Sequence, residues 1–263
     1  MYQNSPQNMI STLPYITSLL SHGSLFSGIG GFELGASKAG IKTKWNCELV
    51  EFNRKVLNLH FPNSFQYTDI LEMANPDPVD IISGGFPCQD ISIAKTTNIL
   101  GINGKRSGLW TQMFRIICEV RPKYVVIENS PMLISRGLDT VIIDLAKIGY
   151  VFEWQCLSAT QFGFNHKRER FYGIAYSEQM RCLNNTQVFD CFRKVLQNEA
   201  PRQNALPMPI KRFNSKSEYE FLRIDDGFSR ELDKNRIEAC GNAVIPLIAY
   251  YLFKAIIWHF NSL

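Results

Sequence analysis

Val79-Asp80-Ile81-Ile82-Ser83-Gly84-Gly85-Phe86-Pro87-Cys88-Gln89-Asp90 reads as a short buried strand that ends in a glycine turn and delivers one cysteine. Gly84 and Gly85 allow a turn and a close approach to the backbone, and Pro87 fixes φ immediately before the thiol. Cys88 is therefore expected at the carboxyl edge of a sheet, where ligands of open α/β folds bind. A thiol with an ordinary pKa of about 8.5 is mostly protonated at neutral pH, so a nucleophilic role needs an electropositive surrounding or an activated electrophile. The alternative is a small buried hydrophobe. Packing alone does not require a Gly-Gly-x-Pro turn, which favours the nucleophile.

Working outward, apolar strand-like runs alternate with helical spacing. Ser24-Leu25-Phe26 precedes Ser27-Gly28-Ile29-Gly30-Gly31 and a helix over Phe32 to Ala39. Lys44 to Glu48 is a strand, Phe52 to His60 a helix and Phe65 to Thr68 a strand. Beyond Cys88, residues 95–106 read as a polar, glycine-containing loop suited to a lid. Gly108 to Val120 is a helix stopped by Pro122, and Tyr124 to Ile127 a buried strand that leads into Glu128-Asn129. A helix over Leu138 to Ile148 and strands over Val151 to Leu157 and Phe171 to Ala175 follow. This alternation implies an α/β fold, a mostly parallel sheet with helices on both faces. From Tyr176 to about Lys234 the pattern breaks down into an Asn-, Gln- and Pro-rich stretch with no clear period, and the apolar C-terminal run then packs back on the first part.

Hydrophobic residues make up 45% and charged residues 20%, as in an ordinary globular chain, and the net charge of +4 permits a polyanionic partner without requiring one. Seven cysteines with no Cys-x-x-Cys pair argue for reduced thiols, a cytoplasmic setting and neither a zinc site nor a disulfide scaffold. The run Ala243 to Phe253 contains Pro246 and ends at Lys254, short of the ~20 residues of a membrane span, so no membrane role is expected.

Two constellations carry chemistry. In the first, the Gly28-x-Gly30-Gly31 turn opens a helix and Glu48 closes the next strand. A turn without Cβ atoms leaves helix N–H groups open to a nucleotide-like ligand, while a strand-end carboxylate can accept from both ribose hydroxyls. Asp69 could accept from an adenine amino group, and solvated strand-end carboxylates are the alternative for both acids. The second joins Cys88, Glu128, Arg168 and Arg170, a thiol, a carboxyl and two guanidiniums that suit attack on an electron-poor heterocycle. A structural ion pair between Glu128 and an arginine competes with that reading.

Phe26-Ser27-Gly28-Ile29-Gly30-Gly31, Gly85-Phe86-Pro87-Cys88-Gln89, Glu128-Asn129, Lys167-Arg168-Glu169-Arg170 and Gly241-Asn242-Ala243-Val244-Ile245-Pro246 occur in that order. In this the chain resembles the DNA (cytosine-5)-methyltransferases, from roughly Gly23 to Phe260. The resemblance implies a Rossmann-like methyltransferase fold and S-adenosylmethionine as cofactor, with S-adenosylhomocysteine as product. It places the cofactor against Phe26, Ser27, Gly28, Gly30, Gly31, Glu48, Leu49, Asp69, Ile70, Leu109, Asn242 and Ala243. It makes Cys88 the nucleophile on cytosine C6, Glu128 the group that holds N3 and the 4-amino group, and Arg168 a contact beside the pyrimidine, with Arg170 in the same catalytic set. Pro87, Gln89, Asn129 and His166 line the base site.

Residues 23–176 and 236–263 are then the catalytic domain, 177–235 a small target-recognition region and 1–22 an N-terminal extension. Double-stranded DNA with one extruded cytosine is the implied substrate, a cognate restriction endonuclease the candidate protein partner, and a monomer the expected state. RNA cytosine methylation, a binding homologue without catalysis and a Cys88–His166 hydrolase are the alternatives. The hydrolase leaves the glycine turn and Gly241-Asn242 unexplained.

Overall fold

The computed structural model describes residues 20–87, 108–184, 186–199 and 230–263. Its strands form one sheet in the order β3-β2-β1-β4-β5-β7-β6, with β1 at Ser21–Leu25, β2 at Lys42–Cys47, β3 at Phe65–Tyr67, β4 at Ile81–Gly84, β5 at Tyr124–Asn129, β6 at Tyr150–Ser158 and β7 at Glu169–Ser177. Pairing from β3 across to β5 is parallel, whereas β7 runs antiparallel to both β5 and β6. The mostly parallel α/β sheet expected from the sequence is what forms.

β5 is buried at all six positions, as a strand covered on both faces must be. Tyr124 and Val126 join one apolar cluster, with helices α1 (Gly31–Lys38), α7 (Val188–Glu199) and α9 (Pro246–Asn261). Val125 and Ile127 join the opposite one, with α3 (Gly108–Val120), the short α4 (Leu133–Arg136) and α5 (Leu138–Lys147). In α3 the buried residues Trp110, Met113, Ile116 and Ile117 share one face, the period expected of an amphipathic helix. α9 begins with Pro246 in its first turn, where the missing N–H has no intrahelical partner to lose. The helical run Lys234–Asn261 is long and apolar enough to cross a membrane, yet half of it is buried and α9 packs on α1 and α7 as a core helix does.

Three features depart from the reading of the sequence. β1 begins at Ser21, so the sheet takes in two residues that were assigned to the extension 1–22. Ser21 is held by Asp80, whose Oδ2 accepts from its backbone N–H at 2.9 Å and its hydroxyl at 2.8 Å. The first part of the stretch read as aperiodic, within the region 177–235, instead forms α6 (Glu178–Asn184) and α7, and α7 buries Val188, Phe189, Cys191, Phe192 and Val195 in the main core. Helix α8 (Arg230–Asn242) then leads into α9. Residues 200–229, which hold the rest of the expected recognition region, lie outside the described residues, as do residues 1–19 and the expected lid at 95–106.

β1 has β2 on one side and β4 on the other, so successive crossovers leave it in opposite directions. The crevice beyond the carboxyl ends of β1 and β4 is the place where open α/β sheets take ligands. Leu25 pairs with Gly84 there, which sets the Phe26-Ser27-Gly28 turn beside Gly85-Phe86-Pro87.

Candidate active site

The turn after β1 is held from two sides. Ser27 N–H donates to Cys47 O at 3.1 Å, and Gly28 N–H donates to Glu48 Oε2 at 2.7 Å. Glu48 Oε1 accepts from Val50 N–H at 2.8 Å, immediately before α2 (Glu51–His60). The buried Glu48 carboxylate is thus oriented by two backbone amides, and each oxygen keeps a second lone pair for a ligand hydroxyl. Gly28 has φ +55 and open space where a Cβ would stand, and Phe26 also adopts a positive φ of 54. A non-glycine residue in that region is strained and must be held there by its surroundings.

Around this turn stand the other residues expected to hold a cofactor. Leu49 is 66% exposed and Leu71 63%, large apolar surfaces at the carboxyl edge of the sheet. Asp69 Oδ1 accepts from Leu71 N–H at 2.8 Å, Ile70 is buried, and Leu109 is half-buried in the first turn of α3. A Cβ added to Gly31 would meet Val244 O at 2.5 Å, so the segment Gly241 to Ile245 lies against the start of α1. Asn242 is exposed and Ala243 half-buried beside it. A clear space at Gly28, an oriented acid and an apolar ledge fit a nucleoside with a ribose diol.

The second cluster centres on Glu128, at the end of β5 and 7% exposed. Burial pushes its pKa up to about 7 against the pull of Arg170 and then of Arg168. Arg170 Nε stands 3.2 Å from Oε1, an ion pair without the alignment of a hydrogen bond. A Cβ on Gly85 would be 3.0 Å from Glu128 Oε2, so the carboxyl sits tight against the turn after β4 and would have to give by a few tenths of an ångström for any larger residue. Cys88 and Gln89, the next reactive groups in the chain, lie outside the described residues, and Pro87 is exposed at the end of the described turn.

Three of the candidates can be described by the contacts they make within the protein. Arg168 donates through Nη1 to Gly241 O and through Nη2 to Ala243 O at 2.8 Å, so it ties the segment before α9 to the start of β7 and reaches Glu128 only through its field. Asn129 is buried; its Nδ2 donates to Phe86 O at 2.9 Å while its Oδ1 accepts from Ser130 N–H at 2.8 Å. It pins the turn that carries Cys88 to the strand that carries Glu128. His166 is exposed, its ring 5.6 Å from that of Phe164. Replacing Asn129 with alanine leaves the buried Phe86 carbonyl unpaired, worth about 1–3 kcal/mol. Turnover is expected to fall roughly 10- to 100-fold while cofactor affinity is unchanged, as read from kcat beside a binding isotherm.

Sequence reasoning passed over Glu33, in the first turn of α1. It is fully buried, neither carboxylate oxygen has a well-aligned partner, and burial lifts its pKa to about 7 against a smaller pull from Ser27 and Ser24. A folded-state pKa above the unfolded one means that the folded protein binds the extra proton between pH 4.5 and 7. Stability is then full below pH 4.5 and is lost as the pH rises through 7, by about 3 kcal/mol. Glu33→Gln removes that term, so its advantage in Tm over the parent should widen between pH 5 and pH 8. A constant difference across that range would contradict the assignment.

A sheet with one reversed strand, a glycine turn clamped by an acid after the second strand, and a second turn facing a buried glutamate define an α/β protein of the methyltransferase type. The family model for C-5 cytosine-specific DNA methylase matches residues 20–236, and the chain belongs to that family. It is 35% identical over 155 residues to the type II methyltransferase M2.BsuMI of Bacillus subtilis, covering 56% of this chain and 39% of that one. To the type II methyltransferase M.Sau3AI of Staphylococcus aureus it is 33% identical over 178 residues, covering 59% and 43%. The chain thus spans about two fifths of the length of these relatives. Among solved structures, the Entamoeba histolytica methyltransferase EhMeth superposes with a TM-score of 0.57 at 16% identity, over 92% of this chain and 98% of that one.

Proposed function

We propose that this chain transfers a methyl group to C5 of cytosine in duplex DNA. The observation that carries the reading is Glu128: a buried carboxyl with a pKa near 7 at the mouth of the sheet, pressed against Gly85 of the turn that leads to Cys88. Cytosine C5 is a poor nucleophile until electron density is pushed onto it. In this reading the Cys88 thiolate adds to C6, and protonated Glu128 gives a hydrogen bond or a proton to N3 as charge arrives there. Arg170 beside Glu128 limits how far burial can raise its pKa, so the carboxyl stays in a range where it can both hold and release a proton.

Gly28, Glu48, Leu49 and Asp69 would hold S-adenosylmethionine, with Glu48 on the ribose and the apolar ledge under the adenine. Held by these residues, S-adenosylmethionine would supply an electrophilic methyl for the activated carbon, with S-adenosylhomocysteine as the leaving product. Loss of the C5 proton to a base then lets Cys88 depart and restores the ring. A stacked base is out of reach, so the cytosine is extruded at a cost of a few kcal/mol that the pocket and DNA contacts offset. A cognate restriction endonuclease, an intracellular setting and action as a monomer belong to the same reading, the first because the curated relatives are named type II methyltransferases. Incubation with labelled cofactor and mixed-sequence DNA or RNA, followed by mapping of modified bases, tests it: label at cytosine C5 in DNA supports it, and label confined to RNA or absent from both refutes it.

A further inference from the structure

Glu33 has no part in the chemistry proposed above, yet it lies directly under the cofactor turn. It is the third residue of α1, counted from Gly31, and has no exposed surface. Both carboxylate oxygens and the neighbouring Ser24 hydroxyl lack a well-aligned partner. Ser27, the residue before Gly28, donates from Oγ to Ser24 O at 3.4 Å, and the Ser27 and Ser24 hydroxyls both pull the Glu33 pKa down, so the turn and the acid are neighbours. Glu48, on the other side of the turn, adds negative charge and raises the Glu33 pKa further.

The remaining polar surroundings do not answer this charge. His22 of β1 is bound to Thr43 and Ser83 and kept neutral by burial. Lys42, at the start of β2, and His60, at the end of α2, line with Glu33 a cavity of about 210 Å³, but among the described residues no basic group draws the Glu33 pKa down. α9 meets α1 through Ala249 and Phe253. A buried carboxyl that meets only loosely aligned serine hydroxyls and no basic group weakens the fold when it ionises. Residues that break a local rule in this way are most often found at functional sites.

We propose that Glu33 is a positioning residue for S-adenosylmethionine, acting through the Ser27-Gly28 turn as the buried counter-charge that favours the cationic sulfonium over the neutral thioether product. This rests on the methyltransferase reading. When a cation settles on the turn, ionised Glu33 becomes cheaper to hold, and in the low-dielectric interior the effect reaches across the turn. One proton then passes from the Glu33 carboxyl to the buffer in each molecule that still carries it. With a pKa near 7, about half do so at pH 7. Both ligands carry the same amino-acid end, so its own titration cancels when they are compared.

The test is calorimetric titration of the full chain with S-adenosylmethionine and with S-adenosylhomocysteine, from pH 6 to pH 8, in buffers of differing ionisation enthalpy. The expected result is an excess proton release for the sulfonium, up to about half a proton at pH 7. The preference for sulfonium over thioether should also rise about fivefold between pH 6 and pH 8 for a coupling of one pKa unit. Glu33→Gln should abolish both. Equal proton release for the two ligands in the unmodified protein overturns the inference even if the variant does not fold, as does an unchanged difference in the variant. Failure of the unmodified protein to bind S-adenosylmethionine at all would instead remove the methyltransferase reading, and the inference with it.

Discussion

Replacing Cys88 with alanine is expected to abolish methyl transfer, by about 10⁴-fold or more, while S-adenosylmethionine still binds. Removal of a catalytic nucleophile costs on that scale because no neighbouring group restores the covalent step. Cofactor affinity should survive because Gly28, Glu48 and Leu49 sit at the ends of β1 and β2, where they are held by the Ser27–Cys47, Gly28–Glu48 and Val50–Glu48 hydrogen bonds. A direct methylation assay beside a binding isotherm separates the two effects. A variant that retained a tenth of the parent rate would remove Cys88 from the chemistry.

Glu128→Gln carries the second largest expected effect. The amide keeps the shape and can still hydrogen-bond, but it cannot hand over a proton, and loss of a positioned acid typically costs 10²–10⁴ in rate. The pH dependence sharpens the test. With its pKa near 7, Glu128 is the proton-bearing form below that value and the carboxylate above it. Ionisation of a thiol runs in the opposite direction, the thiolate growing as the pH rises. The parent should therefore show a bell-shaped rate profile, and the variant only the rising limb. Loss of activity with an unchanged falling limb above pH 7 would assign that limb to another group.

Much of the fold could be read from the chain because its central strands are continuous apolar runs and its helices carry their own stops. Tyr124 to Ile127 is such a run, and α3 occupies the expected Gly108 to Val120, with Arg121 at φ +52 and Pro122 ending it. Other features depend on partners far away in sequence. The polar start of β1 is a strand because Asp80, Thr43 and Ser83 receive Ser21 and His22, contacts 21 to 61 residues distant. α7 was hidden by the Asn-Gln-rich residues before it, although Val188, Phe189, Cys191, Phe192 and Val195 have helical spacing. The direction of β7 left no mark that periodicity can detect.

The site divides in the same way. The glycine turn and the acids that end β2 and β5 follow from the order of strands, whereas the division of labour between two arginines two residues apart does not. Arg170 faces Glu128 while Arg168 binds the Gly241 and Ala243 carbonyls. That outcome depends on where α8 and α9 return. Glu33 stands between Phe32 and Leu34 and looks like a surface acid of a first helical turn until Ser24, Ser27 and Glu48 are seen to surround it.

Covalent addition of the sulfur at position 88 to cytosine is tested most directly by trapping it. With fluorine at C5 of the target cytosine, the last proton cannot leave and the sulfur–carbon bond should persist after methyl transfer. Duplex DNA bearing 5-fluorocytosine, incubated with the protein and S-adenosylmethionine, should give a denaturation-resistant adduct that peptide mass spectrometry maps to Cys88. An enzyme that methylates ordinary cytosine yet forms no adduct, or forms it at another residue, would contradict the mechanism.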